Sequence, residues 1–228
     1  MAVSTVLFCD IISVVIKNKL LIIILGLLLV GSNGFWWNKE QEQMRVISVH
    51  DGDTFTLKSG ERVKLLGTNA PELGNCLGDK ATDKLKEFVD NKVIELKEEK
   101  RDTYGRRMGL VYVDNQLVNE QMLKLGLARP DYTANSQNDV LKAAYKEASD
   151  NGVGIHSNVC KKTNPTPPNS RCVIKGNIDK ASWDKFYHLP SCRHYNQIVL
   201  DLDLGEGYFC SEKEAQAAGF HLAPDCLR

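Results

Sequence analysis

Residues 50–72, HDGDTFTLKSGERVKLLGTNAPE, constrain the fold of this chain more than any other stretch. The apolar, β-branched segment at residues 55–57 predicts a strand, and residues 62–66 predict a second one. A Ser-Gly pair ending at Gly60 separates them and predicts a turn. The whole stretch therefore predicts a β-hairpin.

Side chains with oxygen atoms lie next to both strands of this hairpin. Asp51 and Asp53 precede the first strand, and Asn69 and Glu72 follow the second. Oxygen atoms gathered at strand ends indicate a site for a hard cation or for acid–base chemistry. Asp, Asn, Gly and Pro are also the usual residues of ordinary turns. Either half taken alone therefore favours a plain turn, and the functional interpretation needs support from elsewhere in the chain.

The charge balance limits how this chain can bind an anionic partner. Lys plus Arg and Asp plus Glu both number 29 among the 228 residues, so the formal net charge is zero. Binding of nucleic acid through a general excess of positive charge is therefore not indicated. An anionic substrate has to be held by a local site.

The N-terminal region predicts a membrane-related segment at residues 1–37. Residues 20–31 are uninterruptedly apolar, Lys17 and Lys19 precede them, and an aromatic run ending at Trp37 follows. These features fit a signal peptide or, with the aromatic flank included, an uncleaved anchor, which we favour. Both alternatives place the remainder outside the cytoplasm, at the cell membrane or secreted, because the lysines should stay inside.

The rest of the chain predicts a β-barrel with helices (α+β), preceded by a hydrophobic helix. Short strands interrupted by one helix are typical of a small barrel of the OB type, which we place at residues 44–158. Apart from the hairpin, the predicted elements are strands at 44–49, 93–96, 110–113 and 117–118 and helices at 81–91, 119–126 and 139–151.

A proline-rich linker at residues 159–171 precedes a small Cys-rich domain at residues 172–228. A segment this short buries little apolar surface and usually needs covalent or metal cross-links. We prefer two disulfides to a zinc site because no Cys-x-x-Cys pair is present, and His188 and His194 remain possible zinc ligands. The cysteines concerned are Cys172, Cys192, Cys210 and Cys226.

Six motifs in order make residues 44–157 resemble the staphylococcal nuclease (thermonuclease-like) family. They are VHDGDTFTL, KLLGTNAPE, CLGDKA, DTYGRRMGLVYVDNQLVN, MLKLGLA and GVGIHS. The resemblance implies a five-stranded OB barrel with three helices. It also implies calcium-dependent hydrolysis of phosphodiester bonds in DNA and RNA, leaving a 5′-hydroxyl and a 3′-phosphate. The small domain resembles a tail found on secreted members of the same family.

The resemblance assigns roles in catalysis to three residues. Glu72 matches the general base, which can orient or deprotonate the attacking water. Arg106 matches an arginine that holds the phosphate through its planar guanidinium. Lys64 stands where the family has a second phosphate-binding arginine, so the positive charge is kept but bidentate hydrogen bonding to the phosphate is lost. Arg62, on the same face of its strand, could compensate in part.

The resemblance also assigns ligands for calcium and for the nucleotide. Asp53 matches the principal calcium carboxylate, Asn69 stands where the family has a second one, and Ala70 would contribute its backbone carbonyl. An amide at residue 69 removes one negative charge from the site. Tyr104 and Tyr132 match tyrosines that contact the bound nucleotide, although tyrosine also packs well in ordinary cores.

Cys76 follows the loop that carries Glu72, and Cys160 lies just past the last helix of the predicted nuclease domain. We predict a disulfide between them, since lone thiols outside the cytoplasm would be prone to oxidation. In the competing arrangement, Cys160 pairs with Cys172 and Cys76 stays free.

Two other functions fit the same sequence. A catalytically weak nucleic-acid-binding OB module at the cell surface is favoured by Lys64 and Asn69 and opposed by Glu72 and Arg106. An envelope adhesion protein is the third possibility. Composition and net charge do not separate the three, and no obligate protein partner is predicted.

Overall fold

A computed structural model describes residues 39–131, 133–162, 167 and 169–226. The chain forms two units, Met1–Met44 and Arg45–Arg228. In the first unit, residues 39–43 are helical. The predicted membrane anchor or signal peptide at residues 1–37 and the predicted nucleotide ligand Tyr132 lie outside the described residues. Within the described ranges, the helices are too short or too polar for any of them to cross a membrane.

The second unit begins with the predicted hairpin. Strand β1 (Val46–Val49) pairs with β2 (Thr54–Leu57), and β2 pairs with β3 (Arg62–Leu65), both antiparallel. Phe55 and Val63 are cross-strand partners and are both fully buried. Side chains alternate between the two faces of a strand, so one face of this hairpin enters the core. Of the polar positions on the other face, Thr54 is also buried, at 3% exposed.

Three further strands complete a six-stranded sheet with the order β1-β2-β3-β5-β4. Strand β5 (Arg107–Val113) runs parallel to β3 and pairs antiparallel with β4 (Glu95–Arg101) and with the short β6 (Gln116–Leu117). An isolated bridge also joins Arg45 to Val93. The mixed sheet agrees with the predicted fold class, and closure into a five-stranded barrel stays a prediction.

The three predicted helices are present, with boundaries that differ by a few residues. They are α1 (Gly78–Val89), α2 (Val118–Lys124) and α3 (Asn138–Asp150). Asn119 at the start of α2 is fully buried, and its amide accepts a hydrogen bond from the Val111 nitrogen and donates one to the Leu66 carbonyl. Because a buried amide with both partners satisfied is stable, Asn119 fixes α2 on the sheet.

The C-terminal region contains a four-stranded sheet and a short helix. Its small apolar core comprises Ile174, Ile178, Tyr187, Ala215 and Phe220. The elements are β7 (Lys161–Lys162), β8 (Ile174–Ile178), β9 (Lys185–His188), β10 (Leu200–Asp201), β11 (Gly207–Phe209), α4 (Glu212–Ala217) and β12 (His221–Leu222). Strand β7 lies in the predicted linker and pairs with β10.

Three disulfides cross-link this unit. The predicted pair Cys76–Cys160 is present, with its Cα atoms 5.5 Å apart. In the C-terminal domain Cys172 pairs with Cys210, and Cys192 pairs with Cys226. The preference for disulfides over zinc is therefore confirmed. His188 does lie beside the Cys192–Cys226 pair, but both of those sulfur atoms are already bonded to each other.

Candidate active site

The Asp-Gly-Asp turn before β2 is held by close backbone packing. The carboxylate of Asp51 accepts a hydrogen bond from the Asp53 nitrogen at 3.0 Å. A side chain at Gly52 would come within 2.6 Å of the Cβ atoms of both Ala70 and Ala81, so only glycine fits between the loop and helix α1. This packing sets the position of Asp53 against the loop that follows β3.

Asp53 is 4% exposed, and both of its carboxylate oxygens accept hydrogen bonds. The Thr54 hydroxyl donates to Oδ1 at 2.8 Å, and the Ala70 nitrogen donates to Oδ2 at 2.9 Å. The ammonium of Lys64 also donates to Oδ2, and it donates to Oδ1 of Asn69 at 3.1 Å. The three predicted calcium ligands are thus brought together, with the ammonium of Lys64 between the side chains of Asp53 and Asn69.

This donor set does not fit a divalent cation in the arrangement observed. Calcium takes six to eight oxygen ligands, usually with several carboxylates. Here the carboxylate of Asp53 and the amide oxygen of Asn69 both accept from Lys64, and Ala70 contacts Asp53 through its nitrogen. The calcium site therefore stays a prediction that the geometry does not support.

Asp51 lies next to this cluster. Burial raises the pKa of its carboxyl, and the neighbouring negative charge of Asp53 raises it further. The hydrogen bond from the Asp53 nitrogen acts in the opposite direction. Asp51 therefore shapes the turn through the hydrogen bond that it accepts from the Asp53 nitrogen.

Glu72 lies in the loop between β3 and α1, and its carboxylate is exposed. The backbone of this loop is fixed on both sides. Asn69 exchanges two backbone hydrogen bonds of 2.8 Å with Arg129, and the Glu72 carbonyl accepts from the Asn75 nitrogen at 3.0 Å. A Cβ at Gly78 would lie 2.1 Å from the Glu72 carbonyl oxygen, so helix α1 begins against this loop. In the described part of the chain, no partner occupies the carboxylate of Glu72.

Arg106 stands just before β5 and is held by Asp102. The carboxylate of Asp102 accepts hydrogen bonds from the Arg106 side chain at 2.6 Å, from the Arg106 nitrogen at 2.8 Å and from the Tyr104 nitrogen at 2.9 Å. This hydrogen bonding raises the pKa of Arg106, and the charges of Asp53 and Asp51 raise it further. Asp102 therefore fixes both the backbone and the guanidinium of Arg106.

A surface cavity of about 300 Å³ surrounds Arg106 and contains several cationic side chains. Arg62 lies beside it because β3 and β5 are aligned with Val63 next to Arg107. The guanidinium of Arg107 is already paired, since it donates two hydrogen bonds of 2.7 Å to Glu99 and one to Glu61. The other lining residues are Glu61, Arg101, Tyr104 and Gly105, and the Arg101 guanidinium donates to the Gly105 carbonyl at 2.9 Å. Arg62 and Arg106 are thus the arginines suited to a phosphate here.

Tyr104 is 84% exposed, which excludes the alternative that it packs in the core. Its ring lies 5.5 Å from the guanidinium carbon of Arg106. An exposed aromatic ring beside the arginine predicted to bind phosphate is suited to stack on a base.

Comparison with known proteins indicates the family of this chain. The family model described as Staphylococcal nuclease homologue matches residues 62–158. An uncharacterized endonuclease of Haemophilus influenzae is 30% identical over 135 residues, which cover 58% of this chain and 73% of that protein. An uncharacterized endonuclease of Escherichia coli O157:H7 is 33% identical over 128 residues, which cover 54% of this chain and 80% of that protein. This chain belongs to the staphylococcal nuclease family.

The thermonuclease of Staphylococcus hyicus is another similar protein. It is 30% identical over 106 residues, which cover 42% of this chain and 63% of that protein. The chain is therefore a nuclease, and its substrate is nucleic acid. The family-model match ends at residue 158, before the small C-terminal domain.

Two residues of this nuclease support the site without having been predicted. Asp102 positions Arg106, and Arg129 joins the Asn69 loop to the C-terminal domain through two hydrogen bonds to Asp203, of 2.7 Å and 3.1 Å. Asp102 stands next to the Thr-Tyr-Gly-Arg motif, which is a local signal that could have identified it. Asp203 is 74 residues from Arg129, so no local signal links that pair.

A second cavity, of about 470 Å³, extends from the active-site loop of the nuclease to its C-terminal domain. Asn69 and Arg129 line one side. Lys180 and Trp183 line the other, and Trp183 is 61% exposed. The C-terminal domain therefore forms part of the surface next to the predicted catalytic residues.

Proposed function

We propose that this nuclease hydrolyses phosphodiester bonds in DNA and RNA, with Glu72 as general base and with Arg106 and Lys64 holding the phosphate. The observation that carries the proposal is the alignment of β3 with β5, which sets Arg62 beside Arg106 in one surface cavity. The Lys64 ammonium, also on β3, contacts Asp53 and Asn69 and keeps a third N–H group for another acceptor. Positive groups on and next to two paired strands offer N–H donors to an anion.

The proposed reaction needs a base and positive charge. Glu72 accepts a proton from water, and the water oxygen bonds to phosphorus. The bond between phosphorus and the 5′ oxygen then breaks, and that oxygen takes a proton from water. The products are a 3′-phosphate and a 5′-hydroxyl, as the family resemblance implies. Negative charge grows on the phosphate oxygens, where fixed donors stabilise it more than they stabilise the substrate.

Each cation contributes differently. Asp102 binds Arg106 through Nε, so the two terminal nitrogens of the guanidinium can bond to phosphate oxygens. An ammonium has three N–H groups, and Lys64 uses two of them on Asp53 and Asn69. The third can donate to the phosphate. Tyr104 supplies a stacking surface for a neighbouring base, a contact typically worth about 1–3 kcal/mol.

Activity outside the cytoplasm is part of the same proposal. The three disulfides support it, because disulfides persist mainly in oxidising compartments. Calcium is the cofactor that the family resemblance predicts. The support for calcium is weaker, because Lys64 lies between the oxygen atoms of the predicted ligands. No step of the mechanism proposed above passes through a metal ion.

A cleavage assay on denatured DNA and on RNA, with the full chain, tests the proposal. Glu72→Gln should lower the rate about 100-fold or more, since a positioned general base contributes about that much. Glu147→Gln, which removes an exposed carboxylate on helix α3, serves as the matched control and should cleave normally. Full activity of Glu72→Gln would remove Glu72 from the mechanism. Binding of both nucleic acids without cleavage by the unmodified chain would favour the catalytically weak binding module instead.

A further inference from the structure

The place where the family resemblance predicts calcium contains the side chain of Lys64. Its ammonium donates to Oδ2 of Asp53 and, at 3.1 Å, to Oδ1 of Asn69. The Lys64 side chain is only 14% exposed, and that of Asp53 is 6% exposed. A charge pair this far from solvent is screened little by salt. The pair is therefore a fixed feature of the site.

The strands bring these groups together. Lys64 is the cross-strand partner of Thr54 in the β2–β3 hairpin, and Asp53 directly precedes Thr54. The Thr54 hydroxyl and the Ala70 nitrogen hold the Asp53 carboxylate from two other directions. Asp53 therefore cannot turn away from the amine without losing these hydrogen bonds.

Two departures from the family pattern compensate each other. With Asn69 in place of a carboxylate, Asp53 supplies the one negative charge that contacts the ammonium. With Lys64 in place of an arginine, the positive group is a compact ammonium on a flexible stem, small enough to lie between two oxygens. The charge of Lys64 neutralises that of Asp53. The Asp51 carboxylate bonds instead to the backbone of the turn.

We propose that the ammonium of Lys64 is a built-in cation that takes the place of the divalent metal ion, so that this nuclease cleaves without added metal. The inference rests on the proposed function. A divalent ion would have to break the Lys64–Asp53 pair and then sit close to a displaced ammonium. The third N–H group of Lys64 can donate to a phosphate oxygen, and Arg106 is a second cationic donor.

Calorimetry and cleavage test this inference separately. The full chain, titrated with calcium chloride to millimolar concentration, should show no binding heat, and a calcium chelator should change the cleavage rate less than about twofold. Lys64→Met combined with Asn69→Asp removes the ammonium and restores a carboxylate, so calcium binding should appear in the calorimeter. Lys142→Ala, an exposed lysine on helix α3, is the control and should behave like the unmodified chain.

Each outcome of these two measurements either supports or overturns the inference. Saturable calcium binding by the unmodified chain, or loss of its activity with chelator, would overturn the inference. Absence of calcium binding by a folded double variant, checked by circular dichroism, would also contradict it. If the variant does not fold, the calorimetry of the unmodified chain decides alone. If the unmodified chain cleaves nothing with or without calcium, the proposed function fails, whereas calorimetry still shows whether Lys64 excludes the metal.

Discussion

Arg129 donates two hydrogen bonds to the carboxylate of Asp203, and this pair connects the C-terminal domain to the active-site loop. The Asp203 side chain is 1% exposed. The backbone of Arg129 is at the same time paired with Asn69. Burial would lower the pKa of Arg129, but hydrogen bonding and charge from Asp203 outweigh burial and raise it. The C-terminal domain thus supports the loop that carries Glu72.

Asp203→Asn should therefore destabilise the protein and impair cleavage. Removing one partner of a buried ion pair typically costs about 3–5 kcal/mol, and we expect the lower end because Arg129 keeps a 3.6 Å ion pair with Asp201. Urea denaturation measures the free energy of unfolding. Asp150→Asn, which breaks the exposed Lys146–Asp150 pair, is the matched control and should cost less than about 1 kcal/mol. Equal losses in the two variants would mean that the Arg129–Asp203 pair does not stabilise the unit.

Asp102→Asn should reduce activity while leaving stability nearly unchanged. Asp102 orients Arg106, and loss of an orienting partner typically lowers activity about 10–100-fold. The kcat/KM for a fluorogenic oligonucleotide measures the effect. Asp83→Asn, an exposed carboxylate on helix α1, should leave kcat/KM unchanged. Unchanged kcat/KM in Asp102→Asn would show that Arg106 needs no support from Asp102.

The Cys76–Cys160 disulfide should contribute strongly to stability. It joins residues 84 apart in the sequence, and closing a loop of that length stabilises by about 4–5 kcal/mol in the chain-entropy model. Replacing both cysteines by alanine should lower the urea midpoint accordingly. In the presence of reductant, all three disulfides open, and the urea midpoints of the unmodified protein and the variant should become equal. Identical midpoints under oxidising conditions would contradict this prediction.

Glu206 should make stability depend on pH. It is 5% exposed, and burial raises its pKa from an ordinary 4.5 to about 7, with the charge of Asp201 adding to the effect. The folded state therefore keeps a proton on Glu206 that the unfolded state has released. Its contribution to stability is present below about pH 4.5 and is lost as the pH rises to about 7, a change of about 3 kcal/mol.

The difference between the unmodified protein and Glu206→Gln isolates this effect, because contributions of other groups cancel. Urea denaturation at pH 5, 6, 7 and 8 should show stability falling less steeply in the variant. Glu147→Gln, whose side chain is exposed, should follow the unmodified protein across the series. Parallel curves for all three proteins would exclude Glu206 as the source.

Local patterns predicted much of this fold. An apolar, β-branched segment followed by a Ser-Gly turn predicted the hairpin, and the helices α1, α2 and α3 were predicted to within a few residues. Strand β4 was predicted too short, at residues 93–96, because its sequence ELKEEKR is charged at six of seven positions and has no apolar alternation. Such a pattern is typical of an edge strand with little buried surface.

The active-site residues were predictable in part. The resemblance singled out Asp53, Lys64 and Asn69, and the structure brings their side chains together. It did not indicate that the amine would lie between the ligand oxygens, because that depends on side-chain direction across the β2–β3 hairpin. The Arg129–Asp203 pair was beyond prediction, since packing of the C-terminal domain brings together residues that share no local pattern.

The disulfides fall into two groups that do not cross the predicted linker. Cys76–Cys160 joins the nuclease domain to the start of the linker, while the other two close within the C-terminal domain. A protease that cut the chain between Cys160 and Cys172 would therefore leave two fragments with no covalent bond between them. The two fragments would then be held together by noncovalent contacts such as the β7–β10 pairing and the Arg129–Asp203 ion pair. Detergent alone, without reductant, should be enough to separate its halves.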